Sequence, residues 1–196
     1  MSNFDEFKRV VAKSIDIPMD LQLLFEATES GLESPFSELG LSCVSPGEES
    51  EINDISYLSE EELKKPDIQS NIEATNYVAK LARFVAKDDE RNLYGYWLGY
   101  GSKAISSASI LMYDNEGQFR MLPGSSLVEA VSWNYSADDD DTFSDLKEKF
   151  EKIGITFSAD DCESYYELFP TDADEPKSIH IEIYSAERVK RGLTPL

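Results

Sequence analysis

"ASILMYDNEGQFRMLPGSSLVEA", residues 108–130, sets a strand hairpin directly before a helix. Two apolar runs flank Asp114, Asn115, Glu116 and Gly117. Such a turn, with its glycine in last place at positive φ, is the expected link between antiparallel strands. Pro123 and Gly124 then stop the returning strand. Ser126-Leu127-Val128-Glu129 has the Ser-x-x-Glu spacing of a capping box, in which serine and glutamate satisfy each other's backbone amides at a helix start.

Gly-Ser-Ser admits two other readings. A serine nucleophile on an elbow needs Gly-x-Ser-x-Gly and a general base, but the residues after Gly124 are Ser-Ser-Leu-Val and the chain has a single histidine, His180. A phosphate cradle at a helix N-terminus would gain from a basic residue in the first turn, where this chain places Glu129. Capping is the reading the residues support.

Upstream, "NLYGYWLGY" (92–100) is an aromatic strand. Alternation puts Tyr94, Tyr96, Leu98 and Tyr100 on one face and Leu93, Gly95, Trp97 and Gly99 on the other. Most of these rings are expected to pack, although an exposed one would suit a partner's anchor. With the hairpin this makes a three-strand meander. Helical spacing marks 4–14 and 18–30, the second with Asp16 as a cap, Pro18 in its first turn and Gly31 as a left-handed stop. Ser59 with Glu62 and Ser70 with Glu73 repeat the capping-box spacing, and Val78, Leu81, Phe84 and Val85 form an apolar helical stripe. Residues 32–54 read as an irregular surface excursion. "TFSDLKEKFEKIG" is a helix with Phe143, Leu146, Phe150 and Ile153 on one face and Gly154 as its end. "SIHIEIYS" (178–185) alternates strictly, which predicts a half-buried strand paired with "SYYELFP".

The 196 residues suffice for one domain with a substantial core, and their net charge is −21. Residues 26–62 hold eleven acids and no Lys or Arg, and residues 134–175 hold fourteen acids and three lysines. These two segments carry essentially all of the excess. A surface this negative repels nucleic acid and anionic membranes, so a basic protein is the natural partner; solubility alone is the bland alternative. Glu48, Glu49 and Glu51, with Asp138, Asp139, Asp140 and Asp141, are the candidate partner-binding residues. No apolar run reaches the roughly 18 residues of a membrane span, and the N-terminal residues mix charge into an amphipathic pattern, which is the expectation for a cytoplasmic protein. Cys43 and Cys162 lack the spacing of a disulfide framework.

Metal signatures fail at their diagnostic positions. A calcium loop begun at Asp138 would place Phe143 where glycine is required and Lys149 where the bidentate glutamate belongs. Asp172 and Asp174 lack a glycine turn, and zinc would need His180, Cys43 and Cys162 to converge. No catalytic, cofactor or metal residue is assigned, and the expectation is a protein that is not an enzyme. A regulatory or scaffold module and a metal-dependent hydrolase are the competing readings.

"IPMDLQLLFEATESG" (17–31), "NLYGYWLGY" and "ILMYDNEGQF" followed by a short helix resemble, in that order, the SUKH superfamily of bacterial immunity proteins and fungal cell-wall-synthesis regulators. The resemblance spans about residues 15–133. The family's usual Asn-Gly at the helix end is Ser30-Gly31 here, the excursion over 32–56 is long, and the residues after about 150 are unaccounted for. The resemblance implies a single α+β domain, with a central antiparallel sheet flanked by helices and residues 134–196 as a C-terminal extension. It also implies no catalytic residues or cofactor, and binding that neutralises a toxin domain, often a nuclease.

Overall fold

The computed structural model describes residues 3–13, 17–45, 52, 55–101, 105–136, 139–168 and 175–196. Asp16, Glu48, Glu49, Glu51, Asp138, Asp172 and Asp174 therefore lie outside the described residues. The fold is α+β, with a five-stranded antiparallel sheet in simple sequential order. Its strands are β1 (Ser42–Cys43), β2 (Ala82–Lys87), β3 (Leu93–Trp97), β4 (Ser109–Tyr113) and β5 (Phe119–Leu122). The helices are α1 (Asn3–Phe7), continued by a π-helical turn over Lys8–Ala12, then α2 (Met19–Ser30), α3 (Pro35–Glu38), α4 (Pro66–Lys80), α5 (Leu127–Ser136), α6 (Asp140–Glu151), α7 (Cys162–Leu168) and α8 (Glu175–Lys190).

The β4–β5 hairpin forms as expected. Tyr113 pairs with Phe119, Gly117 sits at φ +83°, and Asp114 Oδ1 accepts the amides of Glu116 and Gln118. β3 is central and all five of its residues are buried, because helices cover both sheet faces. Tyr94 and Tyr96 point to the layer of α2 and α5, where Tyr94 meets Asn134 and Tyr96 lies near Asp20. Trp97 points the other way, and its indole donates to Glu175 of α8 at 2.7 Å. The strand stops at Trp97, leaving Leu98, Gly99 and Tyr100 beyond it, but over Leu93–Trp97 the expected alternation is observed, with Tyr94, Tyr96 and Trp97 in the core. Burial of each such ring contributes roughly 1.5–3 kcal/mol.

Several expectations change. The stripe through Val78, Leu81, Phe84 and Val85 is split: α4 ends at Lys80 and β2 takes Phe84 and Val85, so the meander gains a strand on that side. The join is held by Leu98 and Gly99 amides donating to the Leu81 carbonyl. Ser70 is no cap, since α4 begins four residues earlier at Pro66 and the buried Ser70 hydroxyl donates back to the Pro66 carbonyl at 2.7 Å. "SIHIEIYS" lies inside α8, and "SYYEL" lies inside α7, so neither is a strand. Within the excursion, Ser34 caps α3, and Cys43 of β1 donates its amide to Thr28 of α2 at 3.0 Å. Pro18 takes the cap position of α2 and Gly31 ends it at φ +61°, one residue from expectation at the start and as expected at the end.

The described residues of 134–196 pack on both layers. α6 lies against α5 and α3, with Phe36 edge-on to Phe150 at 5.1 Å, and α8 lies along α4 and against β5. Phe143, Phe150, Phe157 and Tyr165 form one aromatic cluster joining α6, α7 and the segment between them. No helix among the described residues is long and apolar enough to cross a membrane.

Candidate functional site

Gly-Ser-Ser forms the cap and something more. Glu129 donates its amide to Ser126 Oγ at 3.2 Å, and Glu129 Oε2 accepts the Ser126 amide at 3.1 Å. The same oxygen accepts the Ser125 amide at 2.6 Å and the Ser125 hydroxyl at 2.5 Å, while Oε1 accepts the Ser158 amide. Glu129 has no exposed surface. Its carboxylate therefore ties the start of α5 to the segment before α7, and Tyr165 lies against it; burial, then this charge, pushes the Tyr165 phenol up. Gly124 precedes this cap at φ +129°, where a Cβ would lie 2.9 Å from the Ala130 amide nitrogen. His180 is elsewhere, on α8, with its Nε2 3.3 Å from Thr75 Oγ1, so serine and imidazole do not meet.

The acidic candidates within the described residues begin α6. Asp139 caps that helix, its carboxylate accepting the Asp141 amide at 3.1 Å and the Thr142 hydroxyl at 2.7 Å. The Thr142 hydrogen bond is the main reason its carboxyl titrates below the usual range. Asp140 accepts the Cys162 amide at 3.1 Å, fixing α7 to α6. Acids at a helix start also complement its dipole. Asp141 is exposed.

The structure joins parts of the two acidic segments. Lys149 Nζ of α6 sits 2.8 Å from Glu38 of α3 and 2.5 Å from Asp145, so the first segment lies against the second. These carboxylates push the lysine up to about 12, the Asp145 hydrogen bond first. Lys147 pairs with Asp160 and Lys152 with Glu148, so all three lysines of residues 134–175 are engaged by local carboxylates. Glu33 and Asp141 add exposed charge to the same segments.

A cleft of about 640 Å³ lies between α4 and the β2–β3 and β4–β5 turns, which meet at the Leu93–Tyr113 end of the β3–β4 pair. Tyr57, Asn76, Arg91, Tyr113 and Asn115 are among its walls. Arg91 holds φ +70°, and the turn beneath it is built on Asp88, whose carboxylate accepts the Asn92 amide, the Asn92 side chain and the Tyr94 hydroxyl. Mixed amide, phenol and charged walls suit reversible binding. The cleft was not foreseen: its residues come from four separate stretches of the chain, and only a fold brings them together. The buried Asp20 was missed as well. It accepts the Leu21 and Val128 amides, linking the starts of α2 and α5, and burial raises its carboxyl.

Among the described residues no three His, Cys, Asp or Glu side chains are placed to hold a metal ion. Cys43 faces the α2 layer, where burial pushes its thiol up to about 12, and His180 packs on the opposite face. No protein-family model, curated protein or solved structure matches this chain.

Proposed function

We propose that this protein is a binding module of the immunity type, acting in the cytoplasm without catalysis, that docks and neutralises a basic toxin domain through its acidic surface. The observation that carries the reading is the contact of α3 with α6, where Lys149 sits between Glu38 and Asp145 and brings two lysine-poor segments side by side. A chain of net charge −21 that gathers acids in this way attracts a basic protein and repels polyphosphates. The likeness to SUKH immunity proteins in the order of elements supports the same reading, and a nuclease, being basic where it grips nucleic acid, is the fitting target.

Asp139 and Asp140 serve helix structure, so reversal there would confound docking with folding. The cleaner test reverses Glu33, Asp141 and Glu148, all exposed. Against a basic partner recovered by affinity capture, the triple Lys variant should associate at least tenfold more slowly at low salt, with a flatter dependence on ionic strength. Unchanged association kinetics would remove the acidic face from the mechanism.

A further inference from the structure

Tyr100 is the one ring of the aromatic strand that the core does not absorb. It follows β3 in the short 3-10 turn Gly99–Gly101 and is 63% exposed, whereas Tyr94, Tyr96 and Trp97 are no more than 2% exposed. Its hydroxyl lies against that of Tyr77, a further partly exposed tyrosine, on α4. Two carboxylates stand beside the pair. Glu175 begins α8 and is held in place by the buried Trp97 indole at 2.7 Å, with its other oxygen beside Gly99. Glu182 follows seven residues later, on the same side of α8. The hydrogen bond with Tyr77, then desolvation and the nearby charges of Glu182 and Glu175, raises the Tyr100 phenol.

We infer that Tyr77, Tyr100, Glu175 and Glu182 form a docking surface for an arginine- or lysine-bearing segment of a protein partner. Exposed tyrosines outside a core are typical interface anchors, and a ring flanked by carboxylates favours a cation over its face. The Trp97 hydrogen bond fixes Glu175 in advance, so less side-chain freedom is lost on binding. Charge complementarity selects the occupant, because an acidic or phosphorylated segment would meet both carboxylates. The surface lies apart from the α3–α6 contact, so it gives the partner a second point of attachment. This inference rests on the reading above that the partner is basic.

The test is titration of the ¹⁵N-labelled full chain with the capped peptide acetyl-Gly-Arg-Arg-Gly-amide, read by amide chemical shifts. Shifts centred on residues 77, 100, 175 and 182 are expected, with affinity lowered about two- to fivefold in Tyr100→Ala, the size of an exposed cation–π contact, and largely kept in Tyr100→Phe. Shifts confined to Glu33, Glu38, Asp141 and Glu148 would overturn this surface while leaving the acidic docking face standing. Equal binding of the same peptide with glutamine in place of arginine would overturn the requirement for a cation. No shifts anywhere would overturn both.

Discussion

A single buried carboxylate decides how the start of α5 is built. Glu129 accepts three backbone amides and one hydroxyl, of which the capping-box spacing foretells only the Ser126 pair. Its removal forfeits several hydrogen bonds to a buried charged acceptor, each worth about 1.5–3 kcal/mol, whereas loss of the Ser126 hydroxyl forfeits one cap bond worth about 1 kcal/mol. Glu129→Ala should therefore destabilise the protein by about 3 kcal/mol or more and Ser126→Ala by about 1 kcal/mol, measured as shifts in the urea midpoint. Equal effects would mean that the glutamate does no more than cap. Gly95 shows a related limit of reading at this scale. A glycine inside a strand marks close approach of another backbone, and here a Cβ would lie 2.2 Å from the Arg83 carbonyl, where the β2–β3 register shifts. The sequence marks the position, but only the partner strand supplies the reason.

At the scale of elements, legibility followed the length of the periodic window. α6 was plain because Phe143, Leu146 and Phe150 recur over two turns and Asp139 caps them, although Ile153, expected on the same face, lies past the helix end and is 38% exposed. α8 was misread because Ile179, Ile181 and Ile183 alternate over a span too short to separate the two periods. The helix resolves the ambiguity by turning Ile179 and Ile183 toward the core and leaving Ile181 45% exposed. Partners beyond the window complete it: Arg188 and Tyr184 reach Asp67 at the start of α4, and Glu187 pairs with Lys190 and Arg191. The boundary between α4 and β2 was lost because no glycine or proline separates the two apolar patterns. The packing of α8 also carries a pH dependence. His180 is half-buried between Thr75, Phe119 and Tyr184, and burial lowers its pKa below the ordinary 6.5. Below about pH 6.5 the unfolded chain binds a proton that the native imidazole refuses, so stability falls as pH drops through the window between the two values. The stability difference between wild type and His180→Gln should thus shift against wild type from pH 7.5 to pH 5, as read by chemical denaturation. A constant difference would show that His180 keeps its unfolded affinity for the proton.

Across the whole molecule, two opposed electrostatic effects decide how salt acts. The ion pairs of α6 weaken as ions screen them, but exposed pairs of this kind contribute about 0–1 kcal/mol each. The net charge of −21 repels itself throughout the native surface, over distances that salt screens more completely. The two acidic segments were legible as composition, because two stretches nearly devoid of base stand out in the chain. Their contact was not, because Glu38 and Lys149 are 111 positions apart and meet only when α3 folds onto α6. Repulsion summed over so many like charges outweighs a few exposed pairs, so screening should stabilise this protein. Raising NaCl from about 20 mM, where the screening length is roughly 20 Å, to about 300 mM, where it is roughly 6 Å, should raise Tm by about 3–6 °C, equivalent to about 1–2 kcal/mol at this chain length. The Glu33→Lys, Asp141→Lys, Glu148→Lys variant should gain less Tm on addition of NaCl, whatever its starting Tm, since Asp141→Lys opposes the α6 dipole and Glu148→Lys breaks the pair with Lys152. If Tm falls with salt, or if the variant responds as wild type does, the excess charge is spread too thinly to strain the fold, and those three carboxylates do not lie in a concentrated field.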